Sequence, residues 1–241
     1  MPLLDHFAPP LSRTHPWRGF HAAWAGAIVR HLNGGILPAG FYAIPNVDLD
    51  APVEIDVATL REAGALPPGG ALWDAPAPAV DVALDFPAID LVEVQVMHGE
   101  GDPRLVASIE LASESNKDRP ASRRAFSVKC ASYLHEGSSV VVVDPVTVRS
   151  AGLHAELHRL LELPGEPWRS ATGLSAVSYQ AQGEEDRRLR VWTNELAVGG
   201  TLPVVPLWLG GFAVPLDLEA THSATCRDLR IPPGGLRLAT G

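Results

Sequence analysis

The feature that most constrains this chain is the run Ser139-Val140-Val141-Val142-Val143. Consecutive β-branched residues disfavour a helix, and the run has no polar face to turn to water, so it suits a strand covered on both sides. A strand-like segment over 105–111 precedes it. Between the two, residues 119–136 predict a helix with Phe126, Cys130, Tyr133 and Leu134 on one side, ended by Gly137. Strand, helix and buried strand in that order predict a βαβ unit, and hence an α/β core.

The remaining elements arrange themselves around that unit. Phe20, Trp24, Ile28 and Leu32 fall four apart and predict a helix over 16–32, stopped by Asn33-Gly34-Gly35. Extended segments are expected at 41–49, 53–60, 80–84 and 91–97, the last in a hairpin with 105–111. Further along, a short helix is expected over 152–161 and an antiparallel pair over 174–180 and 188–196. An apolar segment at 203–209 and a last helix over 216–229 follow. The expected organisation is an N-terminal segment (1–15), an α/β core (16–162) interrupted by an Ala/Pro/Gly-rich loop (61–79), a C-terminal β-rich extension packed on the core (163–231), and a flexible tail (232–241).

Charge narrows the partners. A formal net charge of -9 disfavours general binding to nucleic acid backbones, which takes clustered Lys and Arg. Arg119, Arg123, Arg124 and Lys129 form the local basic cluster through which a nucleic acid would be met. Cys130 and Cys226 stand far apart with no metal-ligand spacing, which fits a reducing cytoplasm. No segment approaches the roughly 20 apolar residues of a membrane span, and the start lacks a secretory pattern. A cytoplasmic protein without membrane contact is expected.

Two acidic residues sit inside apolar strands: Asp56 in Val53-Glu54-Ile55-Asp56-Val57-Ala58, and Glu110 in Ala107-Ser108-Ile109-Glu110-Leu111. A charged carboxylate among apolar neighbours costs several kcal/mol unless it is paired. Two of them on neighbouring strands can chelate a hard cation, Mg²⁺ or Mn²⁺, that activates water and offsets phosphate charge. Lys129, on the helix after the Glu110 strand, is the first candidate for the accompanying cation, and Lys117, just past that strand, is its rival. The competing structural reading makes these groups a buried ion pair with no metal. His154 and His158 are four apart on a helix, but no third zinc ligand accompanies them.

Residues 104–117, Arg-Leu-Val-Ala-Ser-Ile-Glu-Leu-Ala-Ser-Glu-Ser-Asn-Lys, resemble the "VIEVLSPSNK" segment of a bacterial domain-of-unknown-function family, number 4058. That family is similar to the Uma-two family of predicted endonucleases, with "VVEVLSPS" before a helix "K-x-x-x-Y-x-x-x-G" and a strand ending "VDP". Lys129, Tyr133 and Gly137 keep the spacing, and Val143-Asp144-Pro145 supplies the strand end. Weaker likenesses run from Trp17 to Ile231, among them Glu54-Ile55-Asp56-Val57-Ala58 to "RPDVAV" and Leu202-Pro203-Val204-Val205-Pro206-Leu207 to "LPVIPVPL". The resemblance implies a restriction-endonuclease-like core, a mixed central sheet flanked by helices, of the PD-(D/E)XK superfamily. It implies a metal-dependent nuclease with Asp56 and Glu110 as metal ligands and Lys129 or Lys117 assisting. Many members of that superfamily have lost activity, and the alternative it carries is a nuclease fold kept as a binding or assembly module. A homodimer or another protein partner belongs to the same expectation. This chain departs from the pattern at Ile55 and Glu114, where the family has proline, and at Ala112, where an E-x-K lysine would stand.

Overall fold

The valine run becomes β5 (Ser139–Asp144), and each of its residues is buried. β4 (Arg104–Leu111) lies parallel to it, with Glu110 beside Val142, and α4 (Pro120–His135) connects the two. The βαβ unit predicted from the valines is therefore present. This computed structural model describes residues 1–45, 57–61, 76–83, 104–182 and 188–232. The expected strand at 91–97 and its hairpin with 105–111 lie outside the described residues, as do Asp56, most of the 61–79 loop and most of the tail.

Among the described residues the unit anchors a mixed sheet of seven strands. On one side of β4 come β2 (Val57–Arg61) and β1 (Phe41–Ile44), both antiparallel. On the far side of β5 come β6 (Leu174–Gln182), β7 (Arg188–Leu196) and β3 (Val80–Ala83), again antiparallel. Alternation along each strand divides two cores. Ala107, Ile109, Leu111, Val141 and Val143 face α2 (Trp17–His31), α6 (Leu218–Asp228) and the hairpin of β8 (Val204–Leu209) and β9 (Phe212–Asp217). Val140, Val142, Val177 and Tyr179 face α4 and α5 (Leu153–Leu160). Helices thus flank the sheet on both faces. Among the described residues no helix is long and apolar enough to cross a membrane.

α2 buries Phe20, Trp24 and Ile28 as their spacing predicts, then closes through a π-type turn, Leu32–Ile36, in which Gly35 takes φ 119°. That left-handed value favours glycine and ends the helix. Two short helices lie outside the sequence expectations, α1 (Leu11–Thr14) and α3 (Glu114–Asp118).

The last helix begins later than its apolar pattern suggests. Residues assigned to its start belong to β9 (Phe212–Asp217), which pairs with β8 (Val204–Leu209) across Gly210-Gly211. Asp217 then caps α6 by accepting from the Ala220 N–H at 2.8 Å. Prolines inside both strands argue against a ladder in sequence. Here Pro206 sits directly opposite Pro215, and an antiparallel ladder has alternate positions that exchange no hydrogen bonds.

Candidate functional site

Glu110 is the second-last residue of β4 and Asp144 the last of β5, so two carboxylates stand at the C-terminal ends of adjacent parallel strands. By alternation both share the α4 face with Val142. In open α/β sheets this end is where ligand sites form.

Each carboxylate has its own lysine. Lys129 lies one turn after Phe126 and one before Tyr133 on the inward face of α4, and its Nζ donates to Glu110 Oε2 at 2.8 Å. The Ser108 hydroxyl donates to the other Glu110 oxygen at 2.9 Å. The Lys129 and Glu110 side chains are 7% and 1% exposed, so the pair is shielded from solvent. The neighbouring Cys130 thiol is pushed well above its ordinary range, by burial first and by the Glu110 charge second.

The second pair is deeper. Ser113 caps α3, and Ser113 and Asn116 form a capping box in which Asn116 Oδ1 accepts the Ser113 N–H at 2.8 Å. That tight turn brings Lys117 inward, where its Nζ donates to Asp144 Oδ1 at 3.0 Å and to the Val146 carbonyl at 3.4 Å. It also lies 2.9 Å from Asp144 Oδ2, with side-chain exposures of 0% and 2%. The Val146 N–H donates back to Asp144 Oδ1. Burial pushes the Asp144 carboxyl up to about 6, with Lys117 opposing the shift. Arg123 fastens the start of α4 to this corner by donating to the Lys117 carbonyl at 3.2 Å.

The structure thus brings Glu110 and Lys129 together and assigns Lys117 to a different carboxylate. Lys117 is not an exposed charge at a strand end but an ion-paired group in the interior. Lys129 does not join Arg119, Arg123 and Arg124 in a surface patch, because burial and Glu110 hold it inward. Arg119 is exposed and pairs with Asp118, which also meets Arg149. Asp56 lies outside the described residues, while Val57, next to it in sequence, pairs with Ile109, next to Glu110.

In the sequence Asp144 stands out only as part of the strand-end motif Val143-Asp144-Pro145. The signal available was an acid terminating a fully apolar strand. His154 is also placed, with its Nδ1 2.6 Å from the buried Tyr179 hydroxyl and its ring 6.1 Å from that of His158. Burial first, and His158 second, lower its pKa to about 4, so it is neutral at neutral pH.

A carboxylate is a hard oxygen donor of the kind that divalent cations take, and Ser108 and Lys129 orient that of Glu110. Asp56 is the second ligand expected from sequence. Among the described residues, no three His, Cys, Asp or Glu side chains come together as a metal-binding group. Comparison of the chain with protein-family models, curated proteins and solved structures finds no match.

Proposed function

We propose that the protein is a metal-dependent phosphodiesterase of the PD-(D/E)XK kind, built on a restriction-endonuclease-like core. The observation that carries this reading is the Lys129–Glu110 contact of 2.8 Å at the end of β4. A strand glutamate held by a lysine from the following helix is the pairing that the resemblance to the Uma-two endonucleases implies. Pairing of Val57 with Ile109 supports Asp56 as the second carboxylate, since each neighbours one of the two acids in sequence.

Glu110 and Asp56 would hold Mg²⁺ or Mn²⁺, and the bound ion would supply an activated water and offset phosphate charge. Ser108 and Lys129 hold the Glu110 carboxylate in one orientation. Lys129 also supplies the positive charge that favours a more anionic phosphate in the transition state. The substrate class is a nucleic acid, met through Arg119, Arg123 and Arg124. A cytoplasmic setting accompanies this reading, in keeping with two free, buried cysteines.

The test is cleavage of supercoiled plasmid, single-stranded DNA and RNA with Mg²⁺ or Mn²⁺ by the wild type and by Glu110→Gln. Cleavage by the wild type that the variant loses by a factor on the order of 100 or more supports the assignment. Equal activity in a folded variant refutes it.

A second reading, a nuclease fold serving as a binding or assembly module, is favoured by one observation. Glu110 is 1% exposed and has a partner on each oxygen, as a purely structural ion pair would. A folded wild type that binds nucleic acid or a protein without cleaving any of these substrates supports it.

A further inference from the structure

The first ten residues lie along the opposite core as a strap. Leu3 donates to the Gly200 carbonyl at 2.9 Å and accepts from the Gly199 N–H at 2.8 Å, joining the strap to the loop before β8. Asp5 Oδ1 accepts from the Thr147 hydroxyl at 2.9 Å, which joins it to the segment after β5. Val146, the residue before Thr147, is the backbone partner of both Asp144 and Lys117. The strap therefore adjoins the strand end that carries the second ion pair.

His6 holds the middle of the strap. It is 2% exposed and stacks on Phe20 of α2 at 3.8 Å, with Trp17 at 6.2 Å and His222 of α6 at 6.5 Å. His222, 0% exposed, packs edge-on against Trp24 and tilted against Phe20. Two imidazoles from distant parts of the chain thus share one aromatic box. The His6 Nδ1 meets the His15 carbonyl at 3.0 Å, so the neutral ring carries its proton there and Nε2 is the bare nitrogen. The Nε2 atoms of both rings are buried with no hydrogen-bond partner among the described residues. A proton added there would place a buried charge between aromatic rings, offset only in part by Asp5 at His6 and Glu219 at His222.

We infer that residues 1–10 form an acid-released strap: protonation of His6 and His222 in their shared box undocks it and uncovers the end of β5. The groups facing His6 are Asp5 on the strap, His15, and His222 on α6. Those facing His222 are His6, Glu219, Cys226 and the Met1 amino group. Burial is the leading cause that lowers both histidines, His222 to about 4, and the His15 ring adds to it at His6 as the His6 ring does at His222. The carbonyl of His15 and the charge of Asp5 at His6, and Met1 backbone and Glu219 at His222, oppose this only in part.

The sign follows from linkage. The docked state binds fewer protons than the released state below the ordinary histidine value of 6.5, so docking weakens as pH falls through that value toward 4. Full rehydration of His222 on release would shift the equilibrium about twentyfold between pH 7 and pH 5, and His6 adds to it. The Asp144 carboxyl, raised in the folded chain, works in the opposite direction on acidification.

Hydrogen exchange resolved by peptide, corrected for intrinsic rates, reads this directly on the intact chain. The peptides are 1–10 and those spanning Gly199 and Gly200, with β4 as the internal control. Protection of the strap should fall on the order of twentyfold from pH 7 to pH 5 while β4 holds. His6→Phe/His222→Phe, which fills the box with rings that take no proton, should lose most of that dependence. Either single variant should lose part of it, which keeps the test intact should the double variant not fold. Protection unchanged by pH, an equal fall in a folded double variant, or an equal fall in β4 would each overturn the proposal.

Discussion

Replacing Lys129 by Met keeps the unbranched apolar stem of the side chain, one atom shorter, and removes the charge that faces Glu110. At 2.8 Å and an effective dielectric of about 20, the gross attraction lost is on the order of 6 kcal/mol. Part of it already offsets the desolvation of two side chains that are 7% and 1% exposed. Breaking a buried pair from one side typically costs about 3–5 kcal/mol, because the surviving charge stays buried. For a domain of this size that corresponds to a fall in Tm of roughly 6–20 °C. Glu110→Gln/Lys129→Met, which removes both charges, should recover most of the loss. Urea denaturation of the wild type, Lys129→Met and the double variant at pH 7 measures all three. A loss below about 1 kcal/mol for Lys129→Met, or a double variant no better than the single, would show that the buried pair does not govern this corner.

Asp144→Asn tests the second pair through pH. Because burial raises the folded carboxyl from 3.8 to about 6, the folded chain binds the extra proton in that window. The stability of the wild type relative to the variant should therefore fall by on the order of 3 kcal/mol at most as pH rises from 4 to 6.5; a flat difference in urea midpoints contradicts it. Tyr179→Phe leaves His154 without its 2.6 Å partner and should cost about 1–3 kcal/mol by chemical denaturation. An unchanged midpoint would show that this hydrogen bond contributes nothing net. Burial pushes the Cys226 thiol up to about 11 and the Cys130 thiol higher still. Neither should react with a disulfide reagent at pH 8 in the native state, and both should react in denaturant. Rapid native labelling refutes their burial.

What the sequence made legible was the part controlled by local periodicity. The valine run, the four-residue apolar spacing of α2 and the inward face of α4 follow from strand and helix geometry. Lys129 shares that face with Phe126 and Tyr133, so its direction toward β4 could be read in advance. Lys117 could not be placed this way, because a lysine in a polar segment ordinarily faces water. Its clue is the Ser113–Asn116 capping box, which turns a very short helix and directs the lysine beneath it. The β8–β9 hairpin was hidden by Pro206 and Pro215, whose fit depends on their being opposite one another. His6 with His222, and His154 with Tyr179, are tertiary meetings that no local pattern announces.

The most direct test of the proposed metal site is Mn²⁺ calorimetry on the wild type, Asp56→Asn and Glu110→Gln, with folding verified for each. Saturable binding is expected in the wild type, weakened at least tenfold by either substitution, a difference of about 1.4 kcal/mol or more. A folded wild type that binds no Mn²⁺, or binding that survives both substitutions unchanged, would contradict it.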